Sequence, residues 1–367
     1  MKVLSIEKPE ATSSSHQATI FSILKSKKEG KQWIINNYIQ LFCLKDLYRA
    51  RDIRKGTLDY FYNEYGDWSL FELSANPLLE FALIDFQTFR ELRKKYKISL
   101  IELLINAINN NKYIYLGIDK YYISFYEEFG KVHCAHHLFI NGYDEKEGYF
   151  VSHDNFIQGK YCEHNISFDV IERAFEGVLK DASLEADAYV GGIAFLKYRI
   201  RYWHKESKNM FEFNLEKIVQ SLKEYLMQPF YKDRYAYMKD YVFGIECYDE
   251  LKKMICYNED SKNIIDYRAF CCLRDHKKIM IFRLENMQNI LKFDLENCIL
   301  GMREVERELS IIINMILKCN IKNDEEIIER IVKRFDNVKR KEIAILSEAI
   351  NKMEKIYDIC NNSMLKS

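Results

Sequence analysis

Residues 133–155 read HCAHHLFINGYDEKEGYFVSHDN and hold four of the chain's eight histidines: His133, His136, His137 and His153. Imidazole is the side chain that exchanges protons near neutral pH, so what matters first is which partners these rings can reach. HHLFINGYD (136–144) and YFVSHDN (149–155) have the composition of strands, joined by a tight turn ending in Gly148. Side chains alternate along a strand, so His136, Leu138 and Ile140 share one face and His137, Phe139 and Asn141 the other. On the second strand Phe150, Ser152 and Asp154 share a face, as do Val151, His153 and Asn155. If Asp144 pairs with Gly148 across a three-residue loop, Leu138 stands opposite Asp154, and Asp154 is a diagonal neighbour of His136. A one-residue slip instead sets His137 against Asp154, or His136 against Asn155. The apolar company of His136 favours the first register.

A carboxylate beside an imidazole fixes its tautomer and stabilises the imidazolium formed when the ring accepts a proton. That is the base-and-orienter half of a nucleophile–His–Asp triad. The plainer alternative is a histidine paired with an acid on a sheet edge. Zinc is a third reading, because His133, Cys134, His136, His137 and His153 offer ligands, with Cys162 and His164 close behind. Neighbouring strand residues point apart, however, so His136 and His137 do not readily share one ion. No metal and no cofactor is assigned.

The elements that must position these residues fall into two styles. SLIELLINAI (99–108) has helical spacing and stops at NNNK; YIYLGID (113–119) and GGIAFLKYRI (191–200) are strand-like. SFDVIERAF (167–175) is a short helix capped by Ser167. A helix followed by an antiparallel meander is an α+β pattern. From about residue 205 the period becomes 3.6. Leu215, Ile218, Val219, Leu222 and Leu226 mark a helix ending before Pro229, and Phe270, Leu273, Met280, Leu284, Met287 and Leu291 mark another. Val305, Leu309 and Ile312 belong to a long helix; Ile328, Ile331, Phe335, Ile343, Leu346, Ile350 and Met353 belong to a second. Asn323 is the expected cap between them, with Glu326 completing a capping box. This predicts a C-terminal helical hairpin, and its long apolar stripes suit a homodimer. Within the helical part, His276 and Arg283 share a face, as do Arg268 and Asp275, and these residues are expected to form ion pairs between helices or on the surface. The tyrosines at 60–65 and Tyr121–Tyr122 are expected to be core and rim.

Composition bounds the function. The chain has 367 residues, 48% hydrophobic, with Lys+Arg and Asp+Glu at 55 each. A neutral chain has no global attraction for nucleic acid or an anionic membrane. SIIINMIL (310–317) is too short to span a bilayer, and MKVLSIEKPEATSSSHQ lacks the apolar core of a signal peptide. A cytoplasmic setting is therefore expected, with ten reduced cysteines, none of them in a C-x-x-C pair.

The motif HHLFINGYDEKEGYFVSHDN resembles the papain-like fold of C39-type peptidases, and is most similar to the N-terminal domain of the butirosin-biosynthesis acyltransferase family. The likeness covers roughly residues 32–200. A fainter one, to proteins of peptide natural-product clusters, covers YVFGIECYDELKKMI (241–255) and DYRAFCCLRDHKKIMIFRL (266–284). The resemblance implies thiol chemistry that moves an acyl or peptidyl group, with His136 at the family's histidine and Asp154 at its acid. It implies a nucleophile at the start of an early helix, where the helix dipole lowers a thiol's pKa. Cys43, in QLFCLKDLY, is the cysteine upstream of Cys134 that fits. The partners implied are an acyl or peptidyl carrier protein and a small amine or peptide.

The expected architecture is thus a flexible segment at 1–30, a papain-like α+β domain at 31–203 and an α-helical domain at 205–367. The expected function is a Cys–His–Asp acyltransferase or peptidase-like enzyme of specialised peptide metabolism. Its alternative is a papain-like pseudoenzyme that binds a carrier protein or peptide.

Overall fold

The computed structural model describes residues 1–46, 58–61, 72–156, 159–188, 190–200, 211–227, 239–257, 264–322 and 325–364. Pro229, Asn323 and the tyrosines at 62 and 65 lie outside them. The architecture is mixed α+β, and its chain divides into two compact units. One unit is residues 1–30 with 69–205, and the other is 31–68 with 206–367. This differs from the expected boundaries: the N-terminal segment belongs to the sheet unit, while 31–68 joins the helical unit.

The sheet unit is built on antiparallel strands β4 (Leu79–Asp85), β9 (Gly192–Tyr198), β5 (Tyr113–Asp119), β6 (Ala135–Asp144), β7 (Tyr149–Asn155) and β8 (Tyr161–Ser167), in that spatial order. β1 (Lys2–Val3) pairs with the far end of β6. The segment expected to be flexible is therefore tied into the sheet. It continues into α1 (Ser15–Lys25), whose Ala18, Ile20, Phe21, Ile23 and Leu24 are fully buried. Its polar opening, rich in serine and lysine, conceals an apolar run that folding removes from water.

Helices α3 (Phe86–Tyr96), α4 (Leu100–Asn109), α5 (Phe168–Leu179) and α6 (Ala182–Asp187) complete this unit. Each begins at a side-chain cap: Asp85, Ser99, Ser167 and Asp181 accept from backbone N–H groups of the following turn. Phe86 and Phe89 meet Phe175 of α5 in an aromatic core.

The second unit holds a three-stranded sheet, with β2 (Gln40–Leu44) between β10 (Tyr241–Phe243) and β3 (Asp59–Phe61). Around it are α7 (Leu215–Met227), α8 (Cys247–Cys256) and three long helices, α9 (Arg268–Leu291), α10 (Glu296–Lys322) and α11 (Glu325–Met364). α10 and α11 pack against one another as the hairpin the periodicity predicts. α2 (Lys28–Asn37) bridges the chain segments of the two units in sequence.

Of the four residues expected to form ion pairs, Arg268 and Asp275 do so, while His276 and Arg283 bond to backbone carbonyls. Arg283, fully buried, donates to the carbonyls of Ile34, Ile35 and Tyr38, satisfying the C-terminal end of α2. His276 contacts the Ile39 carbonyl at 2.8 Å. Arg268 pairs with Asp266, and Asp275 with Lys278.

Candidate functional site

The β6–β7 hairpin reaches the expected register by a different route. Asp144 pairs with Tyr149, not Gly148, so the loop holds one residue more than expected. Gly148 closes it at φ 72°, a left-handed conformation glycine adopts at no steric cost. A bulge between Ile140 and Gly142 then takes up that extra residue, and beyond it Phe139 faces His153 and Ile140 faces Ser152. Continuing this pairing sets Leu138 opposite Asp154, with His136 as its diagonal neighbour. The bulged Asn141 is held on both sides: its amide donates to the Leu4 carbonyl and its oxygen meets His153 Nε2 at 2.9 Å. Gly142 leaves room for β1, since a Cβ there would stand 2.9 Å from the Lys2 carbonyl oxygen.

At the other end of the hairpin, His136 Nε2 lies 2.6 Å from Asp154 Oδ2. The ring N–H is not aligned on that oxygen, so the contact is a close ion-pair approach rather than a straight hydrogen bond. The Asp154 side chain is fully buried while that of His136 retains 27% of its surface. Tyr126 donates its hydroxyl to the same carboxylate oxygen and sets its ring edge-on to His136. Burial, and then the charge of Asp154, pushes the Tyr126 phenol well above its ordinary pKa, so it remains a donor. The second carboxylate oxygen, Oδ1, and the hydroxyl of buried Ser152 have no hydrogen-bond partner among the described residues. With Nε2 turned to Asp154, Nδ1 is the nitrogen left to meet a reacting group.

His137 and His153 have structural surroundings. His137 Nε2 is bonded to the backbone of Val190, and its ring stacks on Tyr115 at 5.0 Å. Burial depresses both rings to about 4, so both are neutral at pH 7. Asn155 donates to the Thr12 carbonyl, which brings the serine-rich lead-in of α1 to the end of β7. Ser15, the first residue of α1, meets the Tyr115 hydroxyl at 2.7 Å.

His133 belongs to a second histidine–carboxylate pair. Its Nδ1 is 2.6 Å from Oδ2 of Asp119, a fully buried carboxylate that also accepts from the N–H groups of Tyr121 and Cys134. The ring stacks on Tyr121 at 4.1 Å and leaves its outer edge in solvent. Gly177 of α5 makes room, because a Cβ there would come within 2.9 Å of Asp119 Oδ2.

Of the three residues expected to form a triad, two lie in the sheet unit and one in the helical unit. His136 and Asp154 meet. Cys43 sits on β2, the central strand of the other unit's sheet, paired with Val242 and 1% exposed. It is in contact with the thiol of Cys247, itself fully buried and pushed well above the usual thiol range by that burial. A nucleophilic thiol needs access and an environment that favours thiolate, and Cys43 has the setting of a small core residue. The bulky Phe42 and Leu44 beside it reflect a strand rather than a helix start. Cys162 stands opposite Asp154 on β8, but burial and the negative charge of Asp154 raise its pKa, the reverse of activation.

Tyr126 and Asp119 were not legible as site residues. Tyr126 is 28 positions from Asp154 in a turn-rich segment without a period, and only the fold carries it there. Compared with known families and curated proteins, the chain matches no family model and no curated protein. No helix among the described residues is long and apolar enough to cross a membrane.

Proposed function

We propose that the sheet unit is a papain-like domain that transfers or hydrolyses acyl or peptidyl groups in specialised peptide metabolism, with His136 as general base and Asp154 as the carboxylate that orients it. The observation that carries this reading is the 2.6 Å approach of a partly exposed imidazole to a fully buried carboxylate. Structural histidines are usually enclosed and saturated; this one keeps an open edge beside a carboxylate with an unfilled lone pair. His136 takes the proton of an attacking amine, water or hydroxyl, Asp154 stabilises the imidazolium, and the proton is returned to the leaving group. Cys43 has no part in this chemistry. The substrate class is an acyl thioester, as on a carrier protein, with a small amine or peptide as acceptor.

The test is release of thiol from a panel of acyl-N-acetylcysteamine thioesters, with and without amine acceptors. His136→Ala and Asp154→Asn should each lower the rate by about a hundredfold or more. Turnover that survives both substitutions ends the enzyme reading at this site.

The burial of Cys43 supports a second reading, a pseudoenzyme that holds a carrier protein or peptide in an inherited cleft. It predicts binding of the same thioester ligands without turnover.

A further inference from the structure

Ser14 is the N-cap of α1, yet its hydroxyl makes no capping bond to that helix. A cap serine ordinarily accepts from an N–H of the first turn. Here the Ser14 Oγ lies 2.5 Å from Nδ1 of His16, and Nε2 of the same ring stands 4.0 Å from Oε1 of Glu72. Hydroxyl, imidazole and carboxylate are thus in sequence at the head of an eleven-residue helix. We infer that Ser14 is a nucleophile that takes up an acyl group, with His16 as its base and Glu72 as the carboxylate orienting the ring.

Burial, and then the nearby His137, holds His16 down at about 4. The ring is therefore neutral at pH 7 and has a lone pair to offer. Its tautomer decides the role. Gln17 Nε2 is 3.2 Å from His16 Nε2, but the two ends of an amide are told apart by their network, not by shape. A carboxylate at 4.0 Å favours a proton on His16 Nε2. The Gln17 amide then turns its oxygen to that N–H, and Nδ1 accepts from Ser14. Ser14 stands at the N-terminal end of α1, where the N–H groups of a first turn lack intrahelical acceptors and, with the helix dipole, favour an oxyanion.

In the step itself, Ser14 Oγ bonds to the acyl carbon and its proton passes to His16 Nδ1. The tetrahedral intermediate expels a thiol or alcohol, which takes that proton from His16. An amine or water then attacks the Ser14 ester and restores the hydroxyl. The natural substrate class rests on the acyl-transfer reading above; the nucleophile does not.

The experiment treats the full-length protein with a fluorophosphonate, which bonds phosphorus to Oγ and releases fluoride as the proton moves to His16. A single adduct is expected, on Ser14, distinguished from Ser13 and Ser15 by fragmentation of the tryptic peptide. Ser14→Ala should abolish it, Ser13→Ala and Ser15→Ala should leave it, and His16→Gln should slow it by about a hundredfold. Glu72→Gln should slow it by roughly tenfold and serves if His16→Gln does not fold. No adduct, an adduct elsewhere, or a rate indifferent to both His16→Gln and Glu72→Gln overturns the inference. His136→Ala should leave the adduct intact, so failure here and failure of the His136 reading are separately visible.

Discussion

A buried polar centre in each unit invites comparison, and the two are finished differently. In the helical unit Lys277 of α9 meets Glu342 of α11, both fully buried, with the Tyr225 hydroxyl at 3.1 Å and His276 Nδ1 at 2.9 Å from the ammonium. Glu342 also accepts from Tyr225 and Tyr248. Every donor of Lys277 and both oxygens of Glu342 are taken. In the sheet unit Asp154 is equally buried but keeps Oδ1 unfilled, and its histidine partner reaches solvent. A closed, saturated network fixes packing and offers nothing to a ligand. A buried carboxylate with an unfilled oxygen, joined to an exposed base, carries a cost in stability that a binding or reacting group would offset. The residue types in the two centres are much alike; what separates them is whether the hydrogen-bonding positions are full.

Acid should separate the units most strongly. Burial holds His16, His137 and His153 near 4 in the folded sheet unit, against an unfolded value of about 6.5. Between those values the unfolded chain binds more protons, so stability rises with pH there and is lost as pH falls from about 6.5 towards 4. Each ring contributes at most about 3 kcal/mol at the acid end. Among the described residues the helical unit has a single histidine, His276, shifted this way. Hydrogen exchange read by peptide mass spectrometry at pH 7, 5.5 and 4.5 should show the sheet unit opening first. His153→Gln, which can still donate to Asn141, should flatten its pH slope by about one proton. Earlier opening of the helical unit would contradict the comparison.

The next effect in size lies in the closed network. Lys277→Met strands a carboxylate in the core and should cost about 3–5 kcal/mol of helical-unit stability. Adding Glu342→Met should recover most of that loss, because a pair replaced by apolar side chains of similar volume is often nearly neutral. Urea unfolding of the single and double variants measures both. A loss under about 1 kcal/mol in Lys277→Met would mean that water reaches the pair and that the contrast between closed and open centres is false.

Much of this was legible because local rules and the fold agree. Periodicity marked the faces of α7, α9, α10 and α11, the Ser167 cap held, and strand alternation brought His136 to Asp154. The hairpin loop is one residue longer than expected, yet the bulge at Asn141 restores the pairing, since an uncompensated slip would turn every apolar side chain of β6 to the wrong face. What was not legible depends on long-range placement. The opening thirty residues look polar at their start, and nothing local says that β1 will pair with β6. QLFCLKDLY is compatible with a helix start or a strand until Tyr241–Phe243, two hundred residues later, pairs with it. Tyr126 comes to His136 through a turn-rich segment with no period to read, and that segment also carries His133 back to Asp119 at the end of β5.

The smallest effect concerns Cys43. Cys43→Ala removes one sulfur from a strand centre and should cost roughly 1 kcal/mol of helical-unit stability. The modest figure follows from size, since the space left is that of a single atom against Cys247 and the backbone of Val242. Acyl transfer at the His136 face should be unchanged, and neutral iodoacetamide should label Cys162, which is exposed, before Cys43. A thiol nucleophile predicts the reverse pattern: activity abolished, stability nearly intact, and Cys43 alkylated first. The two outcomes do not overlap, so one variant and one labelling time course decide whether Cys43 belongs to the chemistry or to the core. Should Cys43 label first, its burial would have to be relieved by opening of the β2 sheet. That opening would appear as faster hydrogen exchange across Gln40–Leu44 than in α9, which the saturated Lys277–Glu342 network holds closed.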